Sequence, residues 1–258
     1  MIAQNMVSFP GTFGFGNNAL RDKFNWMDPV KKKLSDLAKR ISAVYTSNID
    51  SSINYQKVGE FTIAPSGVFK ENFWNFNGTG TSISVTIAPQ TVTNSFIVAC
   101  VILDTSSSSG GITVPQLNSI AMTSYVQTTT ANSPRVLIAG IANAASGSQV
   151  FTATLPYSST WRVGIFQFSG VNLTSPVVNT ASASITSTTN NVTVTSVPYG
   201  MLVDCGGGNL TPTPTGGQTV DYANCCGHLP TTTTSYTGGY SYSSSIVNTI
   251  GAITLNPA

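Results

Sequence analysis

Charge is what this chain has least of. Asp, Glu, Lys and Arg make up 8% of its 258 residues, against about 25% in ordinary soluble domains, so hydroxyl and amide side chains must keep the surface in water. The formal net charge of +2 is not the basic stripe with which a nucleic-acid-binding protein meets phosphate. Histidine occurs once, as His228, and cysteine four times. No apolar run approaches the roughly 18 residues of a membrane helix; the most apolar one, residues 96–103, has the length of a strand. The opening MIAQNMVSFPGTFGFGNN lacks a basic segment followed by an apolar one, so neither a signal peptide nor a membrane anchor is expected.

The few charges are unevenly placed. Arg21, Lys23, Lys31, Lys32, Lys33, Lys39, Arg40 and Lys57 are eight of the eleven basic residues, and beyond Glu71 only Asp104, Arg135, Arg162, Asp204 and Asp221 remain. Residues 1–27 place Phe9, Phe13, Phe15, Phe24 and Trp26 singly between glycines, asparagines and a proline, with no helical or strand period. An extended attachment arm with isolated aromatic anchors fits that pattern. In DPVKKKLSDLAKRISAVY, residues 28–45, Asp28 is a ready N-cap and Pro29 falls at the first helical position. Val30, Leu34, Leu37, Ile41 and Val44 recur in steps of four and three, the spacing of a coiled-coil seam. About two heptads are marginal alone, so this short amphipathic helix is expected to associate with copies of itself, three rather than two, within a 28–58 segment that includes a linker; the alternative is a helix that packs on its own β domain.

From residue 59 to 258 the pattern is β. Candidate strands lie at 59–63, 81–88, 95–103, 118–128, 134–142, 148–155, 161–169, 181–186, 191–195, 200–205, 217–222, 235–242 and 246–255. Alternation is clearest in Ile83–Ile87 and Val192–Val194. Short strands punctuated by Gly, Ser and Asn clusters predict an all-β, two-sheet antiparallel β-sandwich of jelly-roll type. No internal repeat is detected, so one sandwich is expected.

Chemistry-bearing residues are sparse. His228 stands in CCGHLP, without the CxxC spacing that brings two sulfurs to one zinc ion; this segment reads as a turn of small residues, with no metal and no cofactor expected. Cys100 reads as a buried small hydrophobe, and a bridge from Cys205 to Cys225 or Cys226 is left open. Asp104, Asp204 and Asp221 are the carboxylates available for glycoside cleavage or calcium, and strand-end hydrogen bonding explains them as well. Gly206, Gly207 and Gly208 lack the helix and GK[ST] ending of a phosphate loop and read as a loop. Phe69, Phe73, Trp74 and Phe76 are expected to close one end of the sandwich or cover the junction with the helix. Tyr236, Tyr240 and Tyr242 are the candidate glycan-contacting set, since tyrosines offer an apolar face with a polar tip, with ordinary strand packing as the competing reading.

The segment RVLIAGIANAASGSQVFTATL followed by WRVGIFQFSGVNLTSPV resembles a family of β-sandwich domains of bacteriophage virion and tail-associated proteins. The likeness rests on an Arg-led apolar strand at 135–143, a Val/Thr strand at 147–155, the FSGV ending of 164–171 with Thr174-Ser175-Pro176 after it, and Ile120-Ala121-Met122 upstream. It covers about residues 95–205, and departs from the family in the CCGH segment and the helix. The resemblance implies a virion structural protein with no catalytic residue: a head fibre, decoration or tail fibre-like homotrimer. It would be made in the host cytoplasm, released by lysis, and docked through its N-terminal arm on capsid, neck or tail proteins. The alternative is a carbohydrate-binding adhesion module recognising host-surface glycans. Neither reading needs an enzyme, a membrane or nucleic acid.

Overall fold

The computed structural model describes residues 67–106, 108–208, 210–222 and 226–258. The expected arm, helix seam and strand 59–63 lie outside them. Among the described residues every regular element is a strand. In chain order these are β1 (Phe69–Ile87), β2 (Phe96–Ser106), β3 (Thr113–Leu117), β4 (Ile120–Ala121), β5 (Thr123–Gln127), β6 (Ser133–Ala142) and β7 (Gln149–Ser169). Then come β8 (Val177–Thr195), β9 (Met201–Gly208), β10 (Thr213–Pro214), β11 (Thr219–Tyr222), β12 (Cys226–Pro230) and β13 (Ser235–Leu255).

The strands form two antiparallel sheets. The first runs β4-β3-β7-β2-β6-β5, with β1 also paired to β7; the second runs β10-β13-β9-β12-β11, with β8 also paired to β13. Residues alternate between faces in a strand, and β2 shows the consequence. Phe96, Val98, Cys100 and Ile102 face a core shared with Met201, Val203, Cys205, Cys226, Ile253 and Leu255 of the second sheet. Ile97, Ala99, Val101 and Leu103 fill a core private to the first sheet, with Ile83, Ile87, Leu117, Phe151 and Trp161. A strand buried on both sides must be apolar throughout, which is why 96–103 is the most apolar run. A third core gathers Val192, Val194, Leu202, Tyr240, Tyr242 and Ile250 within the second sheet.

The two sheets are built on one plan. Exchanging β1, β2, β3, β5, β6 and β7 for β8, β9, β10, β11, β12 and β13 turns the first strand order into the second. The irregularities match as well. Where β1 steps from Gly80 to Ser82, β7 passes over residues 155–158; where β8 steps from Ser187 to Thr189, β13 passes over residues 242–245. Ladder register then makes Cys100 the counterpart of Cys205, and Gly164 that of Gly251. Between the sheets β2 lies on β9, β6 on β13 and β5 on β8, and Lys70 of β1 reaches Asp221 of β11.

These observations correct the expected absence of a repeat. They also correct several breaks: 148–155 with 161–169, 181–186 with 191–195, and 235–242 with 246–255 are each one long strand, interrupted by a bulge. Bulges bend a strand without ending it. Residues 69–80, read as an aromatic closure, are strand throughout. Residues 226–230 of the CCGHLP segment, read as a turn, form β12, and the three glycines end β9 instead of forming a loop.

Candidate functional site

The densest polar cluster lies in the second half, around Asp204. The β9 register turns Val203 and Cys205 into the shared core and aims Asp204 the opposite way, into the private core of its own half. Its carboxyl is fully buried. Tyr240 Oη donates to Oδ1 at 2.6 Å and Gln218 Nε2 donates to Oδ2 at 3.1 Å and to the Gly239 carbonyl at 2.9 Å. Gln218 Oε1 accepts from the Gly216 amide at 3.0 Å, and Tyr236 Oη donates to the Gly216 carbonyl. At Gly227 an added Cβ would lie 3.1 Å from Asp204 Oδ1 and 3.0 Å from the Thr219 carbonyl, so the glycine lets β12 close over the carboxyl.

Burial pushes the Asp204 carboxyl up to about 7; the Tyr240 hydrogen bond and the nearby His228 pull the other way. A low-polarity surrounding disfavours the charged form. Tyr240 is held well above its ordinary value by burial and then by Asp204, and Tyr236 is pushed up to about 12 by the same two causes in the same order. An acid near neutrality suits proton transfer, yet both oxygens here are engaged and neither reaches solvent. The cluster knits β9, β11, β12 and β13 and the 215–218 turn into one network.

A second polar group bridges the sheets. Asp221 Oδ2 lies 2.5 Å from His228 Nδ1, and its Oδ1 pairs with Lys70 Nζ. The His228 ring sits 6.2 Å from that of Phe166 on β7. Beside it, Cys205 and Cys226 face each other across β9 and β12, and Cys100 enters from the opposite sheet within hydrogen-bonding range of both. The Cys100 thiol is raised well above its usual value, first by that contact with Cys205. All three are buried thiols, none of them in a disulfide. The bridge left open between Cys205 and Cys226 is therefore not formed, and Cys225 lies outside the described residues.

Two of the three candidate glycan-contacting tyrosines are interior. Tyr240 is 1% exposed and Tyr242 7%, so their rings offer no platform on which a sugar could stack; Tyr236 is partly buried with its hydroxyl engaged. Of the first aromatic set, Phe73 packs on the shared core, Trp74 and Phe76 on that of the first half, and Phe69 is exposed. Asp104 stands 3.6 Å from Arg162 in the first half, remote in topology from Asp204. Among the described residues no group of three or more His, Cys, Asp or Glu side chains could hold a metal ion. The seam residues Val30, Leu34, Leu37, Ile41 and Val44 and the anchors Phe9, Phe13, Phe15, Phe24 and Trp26 lie outside the described residues.

Arg135 is the residue that sequence reasoning passed over. It is fully buried, and its guanidinium donates to the carbonyls of Gly110 at 3.1 Å, Ser133 at 2.6 Å, Ser108 at 2.5 Å and Thr130. Its terminal carbon lies 5.9 Å from the centre of the Tyr157 ring. The planar fork thus pins two loops to β6 without a carboxylate. The signal available was a lone arginine leading an apolar strand.

No family model, curated protein or solved structure matches this chain.

Proposed function

We propose that the chain is a structural protein of a bacteriophage virion: a head fibre, decoration or tail fibre-like subunit whose β region faces the medium. The observation that carries this reading is the strand order of each half. β1 and β7 each run through two layers, one holding β2 and β6 between β7 and β5, the other holding β3 and β4. β8 and β13 do the same around β9, β12 and β10. We read this as a jelly-roll sandwich made twice, an architecture that recurs in virus capsid and lectin domains. A neutral, hydroxyl-rich surface suits a protein made in a host cytoplasm and released by lysis within a particle. On this reading residues 1–27 dock on the particle, and the seam at Val30, Leu34, Leu37, Ile41 and Val44 ties three copies together. The role is structural and non-catalytic.

The test is physical association. Particles purified from a lysate by density gradient are probed with an antibody raised against residues 67–258. The protein is expected to co-migrate with particles and to be left behind when Phe9, Phe13 and Phe15 are changed to alanine. Protein found only in the unassembled fraction would sink the reading.

A further inference from the structure

We infer that the outer edge of β8 pairs, antiparallel, with β8 of a second copy of this chain. β8 spans 19 residues and among the described residues pairs only with β13. An unpaired strand edge is a template for another strand, and proteins ordinarily blunt it with charged residues, proline, bulges, brevity or a covering segment. The sequence VVNTASASITSTTNNVTVT holds no proline, no glycine and no charge of either sign. Its counterpart β1 carries Lys70 and Glu71 and the glycines Gly78 and Gly80, while both strands have two register irregularities. The other outer strands are short: β4 has two residues, β5 five and β11 four. The halves share a plan, yet among the described residues only β8 is a long outer strand without charge, proline or glycine.

The occupant follows from what the edge offers. With no charge to complement, it selects a partner as neutral as itself. In residues 177–187, Thr180, Ser182, Ser184 and Thr186 are exposed on one face, while Ala181 and Ala183 lean on the private core of the second half. Ile185 continues that apolar side yet is 48% exposed, so the core is open at this flank. A two-fold pairing sets hydroxyl against hydroxyl on the outer face, where Thr and Ser pairs are favourable, and brings Ala181, Ala183 and Ile185 beside their copies to close the flank. Such an isologous contact is self-complementary. The Asn190 amide on Ala183 O at 3.2 Å and the Asn248 amide on Ser187 O at 3.0 Å hold the end of the segment in place.

The test is the solution mass of the full chain by light scattering. Ile185→Lys and Thr186→Lys are expected to halve the mass, while Thr79→Lys at the matching place on β1 leaves it unchanged. An unchanged mass in the β8 variants, or an equal fall in the β1 variant, would overturn the inference. A second readout needs no variant: amide exchange across residues 177–187 of the full chain should slow as concentration rises, with β1 unaffected. Exchange independent of concentration through the range where the mass changes would also reject it.

Discussion

At the scale of single residues, the buried carboxyl of Asp204 makes stability depend on pH in an unusual direction. Its folded value of about 7 lies above the ordinary 3.8, so between these limits the folded chain binds the proton more tightly than the unfolded one. The stabilisation is complete below about 4 and is lost as pH rises through 7. Asp204→Asn should flatten this slope in denaturant titrations run from pH 4 to 8, gaining on the native chain at the alkaline end. Tyr240→Phe removes the hydrogen bond to Oδ1 and should cost about 1–3 kcal/mol, with the pH-dependent loss still starting near 4 but extending to higher pH, because that bond holds the folded value down. Arg135→Ala strips four carbonyls of their donor and should cost more than about 3 kcal/mol by the same measurement. These roles were hidden in the sequence because they depend on which face of a strand a residue occupies and what lies opposite. Asp204 looked like a strand-end aspartate, and Gln218, its partner, carried no signal at all.

At the scale of elements, the apolar strands were legible and the polar ones were not. Residues 96–103 and 134–142 announce themselves because both faces are covered. The span 69–80 does not: its Lys, Glu, Asn and Gly residues are those that strands avoid, and its place is fixed by pairing along β7. Proline and serine clusters at 155–158 and 242–245 have the composition of turns, but the ladder resumes on either side of them. The glycines of β9 have a packing reason. An added Cβ at Gly206 would lie 2.6 Å from the Tyr240 ring, so the bare strand makes room for that aromatic side chain. Gly206→Ala should therefore cost about 1–3 kcal/mol, read as a drop in the denaturation midpoint, and Tyr240→Leu in the same chain should recover part of it.

At the scale of the whole molecule, the fold class was readable and the duplication was not. Counterparts keep little identity: Val85 and Thr86 answer to Val192 and Thr193, Val98 and Cys100 to Val203 and Cys205. The loops of the second half are shorter, so the offset between counterparts drifts along the chain and no fixed period survives. The private cores differ in chemistry, one bordered by a buried arginine held on carbonyls and the other built around a carboxyl and tyrosines. Because the shared core holds the central strands of both sheets, the halves should unfold together. In a Trp26→Phe chain, tryptophan fluorescence, which then reports Trp74 and Trp161 of the first half, and far-ultraviolet circular dichroism should give one coincident transition; two separated midpoints would show the halves to be independent.

The meeting of Cys100, Cys205 and Cys226 in the core between the sheets makes the protein its own stopwatch. A thiol reagent cannot touch them while the sheets are closed, so at saturating reagent the rate of labelling becomes the rate at which the closed state first opens. In a Cys225→Ser chain the three sulfurs should react with a single time constant, and that constant is the native lifetime, the quantity that governs how long a protein survives outside the cell that made it.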